Sequence, residues 1–132
     1  MLYYFFILFC KALLIGYPNR YYRALVHDIA LSGGHVVLAV GRAGLVGADG
    51  ETHQGLFDIS FLTAIPGISI YSPATYKELE YRIEFAADCD LPIAVRYPRG
   101  GEKETIDFDY KAEYSVIEGS GEKAVITYGR LF

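Results

Sequence analysis

The sequence predicts an α/β fold with a mainly parallel sheet and helices on both of its faces. Short apolar runs rich in β-branched residues alternate along the chain with segments of helical periodicity, which is the spacing of βαβ units. Within these apolar runs the residues do not alternate between apolar and polar, a pattern typical of strands that are covered on both faces. The chain has 132 residues, about the length of one domain.

The first element is predicted to be a buried strand within the aromatic, apolar run MLYYFFILFC. Lys11 interrupts the run, which is shorter than the roughly 20 apolar residues that a transmembrane helix needs. A signal peptide would have basic residues before the run and a small-residue cleavage site after it, and neither is present. The alternative is a membrane-surface anchor formed by residues 1–15.

Helices are predicted over residues 18–31, over a short segment at 57–64 and after Thr75. The first has one apolar face, opens with a proline and ends at a Gly-Gly pair. Thr75 and Glu78 have the spacing of a capping box, which marks the start of the third helix. The strands that alternate with these helices are predicted at 35–40, 68–72, 92–97 and 123–129.

The composition excludes several classes of protein. Hydrophobic residues make up 52% of the chain, far more than in a disordered segment. The net charge is −4, so we expect no nucleic-acid partner, because such binding needs a basic face. Cys10 and Cys89 lack metal-ligand spacing, which indicates two reduced thiols and a cytoplasmic location.

The glycine-dense loop from Arg42 to Gly55 is the first candidate for a functional site. Its four glycines allow close backbone approach to an anion or a ring, and Asp49 and His53 can hydrogen-bond hydroxyls or move a proton. In parallel sheets ligands bind beyond the carboxyl ends of the strands, where this loop and the loop after Tyr97 are both expected. The alternative is a surface loop with solvated polar residues.

Two segments carry a resemblance to a known family. The stretch VGRAGLVGADGETHQGLFDISFLTAIPGISIYSPATYKEL and the later PIAVRYPRG resemble the 1-deoxy-D-xylulose-5-phosphate synthases of the thiamine-diphosphate-dependent transketolase superfamily. The resemblance implies a truncated transketolase-type pyrimidine-binding domain. It also implies a transferase that condenses pyruvate with glyceraldehyde 3-phosphate and releases CO2, for isoprenoid and thiamine biosynthesis. The intact enzyme would be a homodimer, cytoplasmic or, in a plant, plastidic.

The resemblance also implies roles for individual residues. Arg42 and Arg99 match two arginines that hold the phosphate of the acceptor aldehyde, and guanidinium groups suit that task because they bind phosphate bidentately. Asp49 matches an aspartate beside the substrate hydroxyls, and His53 matches a histidine near the reacting carbon. The two remaining matches are an active-site arginine and an aromatic residue that stacks on the pyrimidine ring of the cofactor: Arg20 and Tyr17.

Parts of the family pattern have no counterpart in the sequence. No glutamate precedes Glu51 to activate the cofactor, and no GDG-type motif is present, so we expect the sites for Mg²⁺ and the diphosphate of thiamine diphosphate to lie outside this chain. No residue is predicted to bind a metal. Residues 1–113 are assigned to the pyrimidine-binding domain and 114–132 to the first strands of the next one. The isolated chain is therefore expected to be inactive, and the alternative function is that of a non-catalytic remnant or split subunit that associates with a partner.

Overall fold

The computed structural model describes residues 5–9, 23–50, 54–102, 108–112 and 114–129, with the backbone alone for residues 5–9 and Asp49. Within these described residues the regular structure consists of four strands, two α-helices, a π-helix and a 3-10 turn. In chain order they are β1 (Phe5–Phe9), the π-helix (Ala24–Ala30), β2 (Val36–Gly41), the 3-10 turn (Gly47–Asp49), α1 (Asp58–Thr63), β3 (Ser69–Tyr71), α2 (Tyr76–Asp88) and β4 (Ile93–Tyr97).

The four strands form one parallel sheet with the spatial order β1-β2-β4-β3. This confirms the predicted α/β class and the parallel sheet. Strand β2 lies in the middle, where Val37 is paired with Ile93 and Gly41 with Tyr97 of β4. Because the strands are parallel, the loops after β2 and β4 leave the sheet at the same edge.

Helices cover both faces of the sheet, as predicted. The connections from β1 to β2 and from β2 to β3 run in one direction across the sheet, whereas the connection from β3 to β4 runs back. Right-handed crossovers then place the π-helix and α1 on one face and α2 on the other. The core accordingly consists of two clusters, one on each face of the sheet. Leu38 and Ala94 pack with Leu25 and Leu62 on the first face, and Val37 packs with residues of α2 on the second.

The predicted start of α2 is confirmed, whereas the first predicted helix differs in its type. Helix α2 begins where the capping box predicts, since the amide of Glu78 donates to Oγ1 of Thr75 at 3.2 Å. The carboxylate of Glu78 accepts from the amide of Ala74, at 2.8 Å, rather than from that of Thr75. The described part of the predicted 18–31 helix is a π-helix, in which the amide of Leu31 donates to the carbonyl of Val26 at 2.9 Å.

The strand predicted at 123–129 is wrong. Residues 123–128 form no ladder with another strand in the described part of the chain, and they are exposed, with Ile126 at 98%. A strand is stabilised by its backbone partner and by the side chains packed beside it. An apolar, β-branched sequence without such a partner therefore stays irregular.

The apolar run at the start of the chain contains β1, which confirms a strand there and places residues 5–9 in the sheet beside β2. The burial of their side chains lies outside what the structure describes. Among the described residues, no helix has the length and apolar character needed to cross a membrane.

Candidate functional site

The candidate site is built on the edge of the sheet where β2 and β4 end side by side. Gly41 and Tyr97 are paired at the ends of these strands. Arg42 follows Gly41 directly, and Arg99 lies two residues beyond Tyr97. The parallel pairing therefore brings both predicted phosphate-binding arginines to the same edge of the sheet.

The backbone turns sharply at Arg42. Its φ angle is 61°, and among the described residues it alone has a positive φ without being a glycine. Non-glycine residues adopt this left-handed conformation uncommonly, and it often marks a turn with a specific purpose. The next amide, that of Ala43, donates to the carbonyl of Tyr97 at 2.9 Å. This bond holds the start of the loop against the end of β4.

The loop from Arg42 to Gly55 is closed by its own backbone. The amide of Gly44 donates to the carbonyl of Gly55 at 3.0 Å, and the amide of Gly55 donates to the carbonyl of Gly44 at 2.9 Å. Gly55 is buried at this closure. The two ends of the loop are thus fixed to each other and, through Ala43, to the sheet.

Gln54 fixes the interior of the same loop. Its side-chain oxygen accepts from the amide of Val46 at 2.6 Å, and its side-chain nitrogen donates to the carbonyl of Val46 at 3.0 Å and to that of Gly50. One amide side chain therefore satisfies three backbone groups on either side of the 3-10 turn. The described part of the loop is ordered by specific bonds, which favours a functional loop over a solvated one.

Gly55→Ala is expected to open the closure of this loop and to lower the free energy of unfolding by about 1–3 kcal/mol, the usual cost of overpacking. A Cβ at this position would lie 2.7 Å from the carbonyl oxygen of Arg42 and 2.9 Å from the amide nitrogen of Gly44, and these backbone atoms cannot give way cheaply. Urea denaturation and limited proteolysis within residues 42–55 measure the two effects. Gly47→Ala is the matched control, because a Cβ there meets nothing within 4 Å. Equal behaviour of the two variants would contradict the close packing at Gly55.

A buried arginine of β4 lies beneath the closing end of the loop. One terminal nitrogen of Arg96, Nη2, donates to the carbonyl of Gly55 at 3.2 Å and to Oδ2 of Asp58 at 3.4 Å, and Nη1 donates to Oγ of Ser72 at 3.4 Å. The side chains of Arg96 and Asp58 are only 11% and 12% exposed. This ion pair joins the loop to the start of α1 and to the end of β3.

The segment after β4, which carries Arg99, forms hydrogen bonds with the first residue of α2. The carboxylate of Glu102 accepts from the amide of Tyr76 at 3.0 Å, in the first turn of the helix, where the helix dipole favours negative charge. The hydroxyl of Tyr76 donates to the carbonyl of Gly100 at 3.4 Å. A small, mostly apolar pocket adjoins these contacts and is lined in part by Pro73, Leu79 and Tyr97.

The structure brings together some of the predicted site residues and leaves others undescribed. Arg42 and Arg99 share one edge of the sheet, and the backbone of Asp49 lies in the 3-10 turn of the loop between Gly44 and Gly55. The predicted residues His53, Arg20 and Tyr17 lie outside the described residues. Within the described part of the chain, no group of three or more His, Cys, Asp or Glu side chains is placed to hold a metal ion.

The sequence pattern did not predict the residues whose side chains hold the loop from Arg42 to Gly55 in place, which are Gln54, Asp58 and Arg96. Gln54 and Asp58 both lie within the stretch that resembles the family, but the stretch does not predict their contacts. Arg96 lies in the predicted strand at 92–97, and its hydrogen bonds to Gly55, Asp58 and Ser72 give it a structural role. The available signal was an arginine in an otherwise apolar strand, since a buried charge requires a partner.

Comparison with known proteins agrees with the fold and the motifs. Residues 4–102 match the family described as transketolase, pyrimidine binding domain. The chain is 44% identical over 116 residues to a 1-deoxy-D-xylulose-5-phosphate synthase of Nitratiruptor, with 84% of this chain and 19% of that protein covered. It is 46% identical over 118 residues to the synthase of Caldanaerobacter subterraneus subsp. tengcongensis, with 86% and 19% covered. The chain thus spans about a fifth of the length of the curated relatives it matches.

A solved structure shows the same fold. It is described as a split gene transketolase, inactive beta4 tetramer, and it superposes with a TM-score of 0.59 at 20% identity, covering 79% of this chain and 31% of that one. At this identity the likeness bears on the fold alone.

The fold and the family match define a class of protein domain, the α/β domains of the transketolase type. Within that class the chain belongs to the transketolase pyrimidine-binding domain family, and its sequence is of the 1-deoxy-D-xylulose-5-phosphate synthase type.

Proposed function

We propose that this chain supplies the acceptor-binding side of a 1-deoxy-D-xylulose-5-phosphate synthase, in which Arg42 and Arg99 bind the phosphate of glyceraldehyde 3-phosphate. The observation that supports it is that these arginines follow the ends of two paired strands by one and two residues, at one edge of the sheet. Guanidinium groups bind phosphate through charge-assisted, often bidentate hydrogen bonds, and two converging groups fix both position and orientation.

Four other residues would act beside the two arginines. Asp49 would accept hydrogen bonds from the substrate hydroxyls, and His53 would move a proton at the reacting carbon. Arg20 would add positive charge to the same cavity, and Tyr17 would stack on the pyrimidine ring of thiamine diphosphate. The cofactor supplies the carbanion chemistry when it is bound.

The complete reaction is assigned to a longer protein. Because the chain covers only 19% of the first relatives, we propose that condensation of pyruvate with the aldehyde, the Mg²⁺ and diphosphate sites and homodimer formation need sequence beyond these 132 residues. In that view residues 1–113 form the pyrimidine-binding domain, and residues 114–132 begin the next domain. The isolated chain would bind the acceptor without turning it over, in the cytoplasm.

Arg99→Gln is expected to lower the affinity for glycerol 3-phosphate, an unreactive stand-in for the aldehyde, by about tenfold or more. The reason is that one charge-assisted hydrogen bond is worth about 1.5–3 kcal/mol. Isothermal titration calorimetry at low ionic strength measures the affinity, and Arg42→Gln should have a similar effect. The matched control is Arg23→Gln, which removes an exposed arginine beside the π-helix. Equal losses in Arg99→Gln and Arg23→Gln would mean that the ligand responds to net charge alone.

A second candidate function is that of a non-catalytic association module, and one observation favours it. Large apolar side chains of the carboxy-terminal segment are exposed, among them Tyr114 at 78%, Val125 at 88% and Ile126 at 98%. Exposed apolar surface of this kind marks interaction sites. Replacing Val125 and Ile126 by serine should abolish any self-association seen in sedimentation velocity, whereas a chain that is monomeric before substitution would exclude this candidate.

A further inference from the structure

Arg96 is a buried charge in a strand where an apolar side chain would serve the fold. Its neighbours in β4 on either side of the sheet, Ala94 and Val95, are fully buried, and its own side chain is only 11% exposed. Replacing a buried ion pair with apolar residues of similar volume is often neutral or stabilising. Stability alone therefore does not account for an arginine at this position.

The contacts of Arg96 show what the arginine adds. Its guanidinium reaches the carbonyl of Gly55, the carboxylate of Asp58 and the hydroxyl of Ser72, which are 41, 38 and 24 residues away along the chain. A planar guanidinium offers donors in fixed directions, so these three acceptors must keep a fixed arrangement around it. One of them, the carbonyl of Gly55, belongs to the pair of glycines that closes the candidate loop.

The position of Arg96 on β4 connects its contact with Gly55 to the candidate anion site formed by Arg42 and Arg99. The same strand ends at Tyr97 and continues directly to Arg99, while the loop that Arg96 holds at Gly55 begins at Arg42. A rigid link between β4 and the closing end of the loop therefore sets the distance between the two segments that carry the arginines.

We propose that Arg96 is a positioning residue that holds the loop after β2 in register with β4 and so fixes the spacing of Arg42 and Arg99. The role at the anion site rests on the proposed function, whereas the hold on the loop does not. In this role Arg96 acts through the carbonyl of Gly55 and the side chains of Asp58 and Ser72, and not by binding the phosphate itself.

Hydrogen exchange of the full chain tests the hold on the loop. In Arg96→Lys, which keeps the charge but loses the forked donors, the Gly44 and Gly55 amides should exchange about tenfold faster relative to sheet amides such as that of Leu38. The matched control is Arg82→Lys. Arg82 is likewise buried, at 8% exposure, and donates to the carbonyl of Ala112 at 2.9 Å, but it lies on α2 across the sheet. This control should leave the ratio of loop to sheet exchange unchanged.

Binding of inorganic phosphate tests the role at the site. Arg96→Lys should weaken phosphate binding about fivefold or more at unchanged net charge, and Arg82→Lys should not. If exchange at Gly44 and Gly55 rises only in proportion to that of the sheet, Arg96 is merely structural and the inference is overturned. Loss of loop protection with phosphate affinity unchanged also overturns it. A parent chain that binds no phosphate overturns the proposed function instead, and with it the role of Arg96 at the site, while the exchange ratio still decides its hold on the loop.

Discussion

Asp58→Ala is expected to lower the free energy of unfolding by about 3 kcal/mol or more, because it leaves a guanidinium charge uncompensated in the protein interior. The carboxylate lies 3.4 Å from Nη2 of Arg96, and both side chains are nearly inaccessible to water. Asp58 also stands in the first turn of α1, where a negative charge interacts favourably with the helix dipole. Urea denaturation followed by circular dichroism measures the change.

Three further variants separate the ion pair from other effects of this substitution. Asp58→Asn keeps the shape and an acceptor oxygen, so it should lose less stability than Asp58→Ala. Asp90→Ala removes an exposed carboxylate and should change stability by less than about 0.5 kcal/mol. The double variant Asp58→Ala with Arg96→Met should be more stable than Asp58→Ala alone, since the unpaired charge is gone. A double variant whose losses simply add would show that the two side chains do not interact.

The sheet could be predicted from sequence because its strands carry their own signal. A strand buried on both faces must be apolar throughout, and Val36 to Val40 are all buried in the structure. Helix α2 was predictable for a local reason as well, since Thr75 and Glu78 cap their own helix start. Where neighbouring residues decide the structure, the sequence pattern is sufficient.

The failures concern partners that are distant along the chain. Residues 123–129 have the composition of a strand, but composition does not say whether another strand is available beside them. The spatial order β1-β2-β4-β3 likewise depends on tertiary packing, and only the handedness of crossovers limits the choices. The short β3 shows the same limit, because only Ser69–Tyr71 of the strand predicted at 68–72 pair with β4.

The position of the candidate site at one edge of the sheet could be predicted from the sequence, but the contacts that hold its loop in place could not. Two arginines after two apolar runs predict two cationic loops at one edge, and in the structure Arg42 and Arg99 follow the paired ends of β2 and β4 by one and two residues. The way the loop is held could not be read from the sequence. Arg96 reaches Gly55 across 41 residues, and Gln54 bonds to Val46 across eight, through geometry that no periodicity encodes.

Leu38→Ala is expected to lower the free energy of unfolding by about 3 kcal/mol, within the range of about 2–5 kcal/mol for removing a buried leucine. Leu38 has no exposed surface and lies in the central strand β2, packed in the cluster formed with the π-helix and α1. Val36 and Val40, two residues before and two residues after Leu38 in the same strand, are buried in the same cluster. The strand is therefore held in place, and the cavity has little room to collapse. Urea denaturation measures the loss.

The comparison with Leu91 and with Leu38→Met decides whether packing is the cause. Leu91→Ala removes the same atoms from a side chain that is 56% exposed and should cost less than about 0.5 kcal/mol. Leu38→Met keeps the volume and should cost less than about 1.5 kcal/mol. Because a cavity at Leu38 weakens the whole sheet, exchange at Gly44 and Gly55 should rise in step with that of the sheet amides, unlike the selective rise expected for Arg96→Lys. A selective loss of loop protection in Leu38→Ala would instead place the loop and β2 in separate cooperative units.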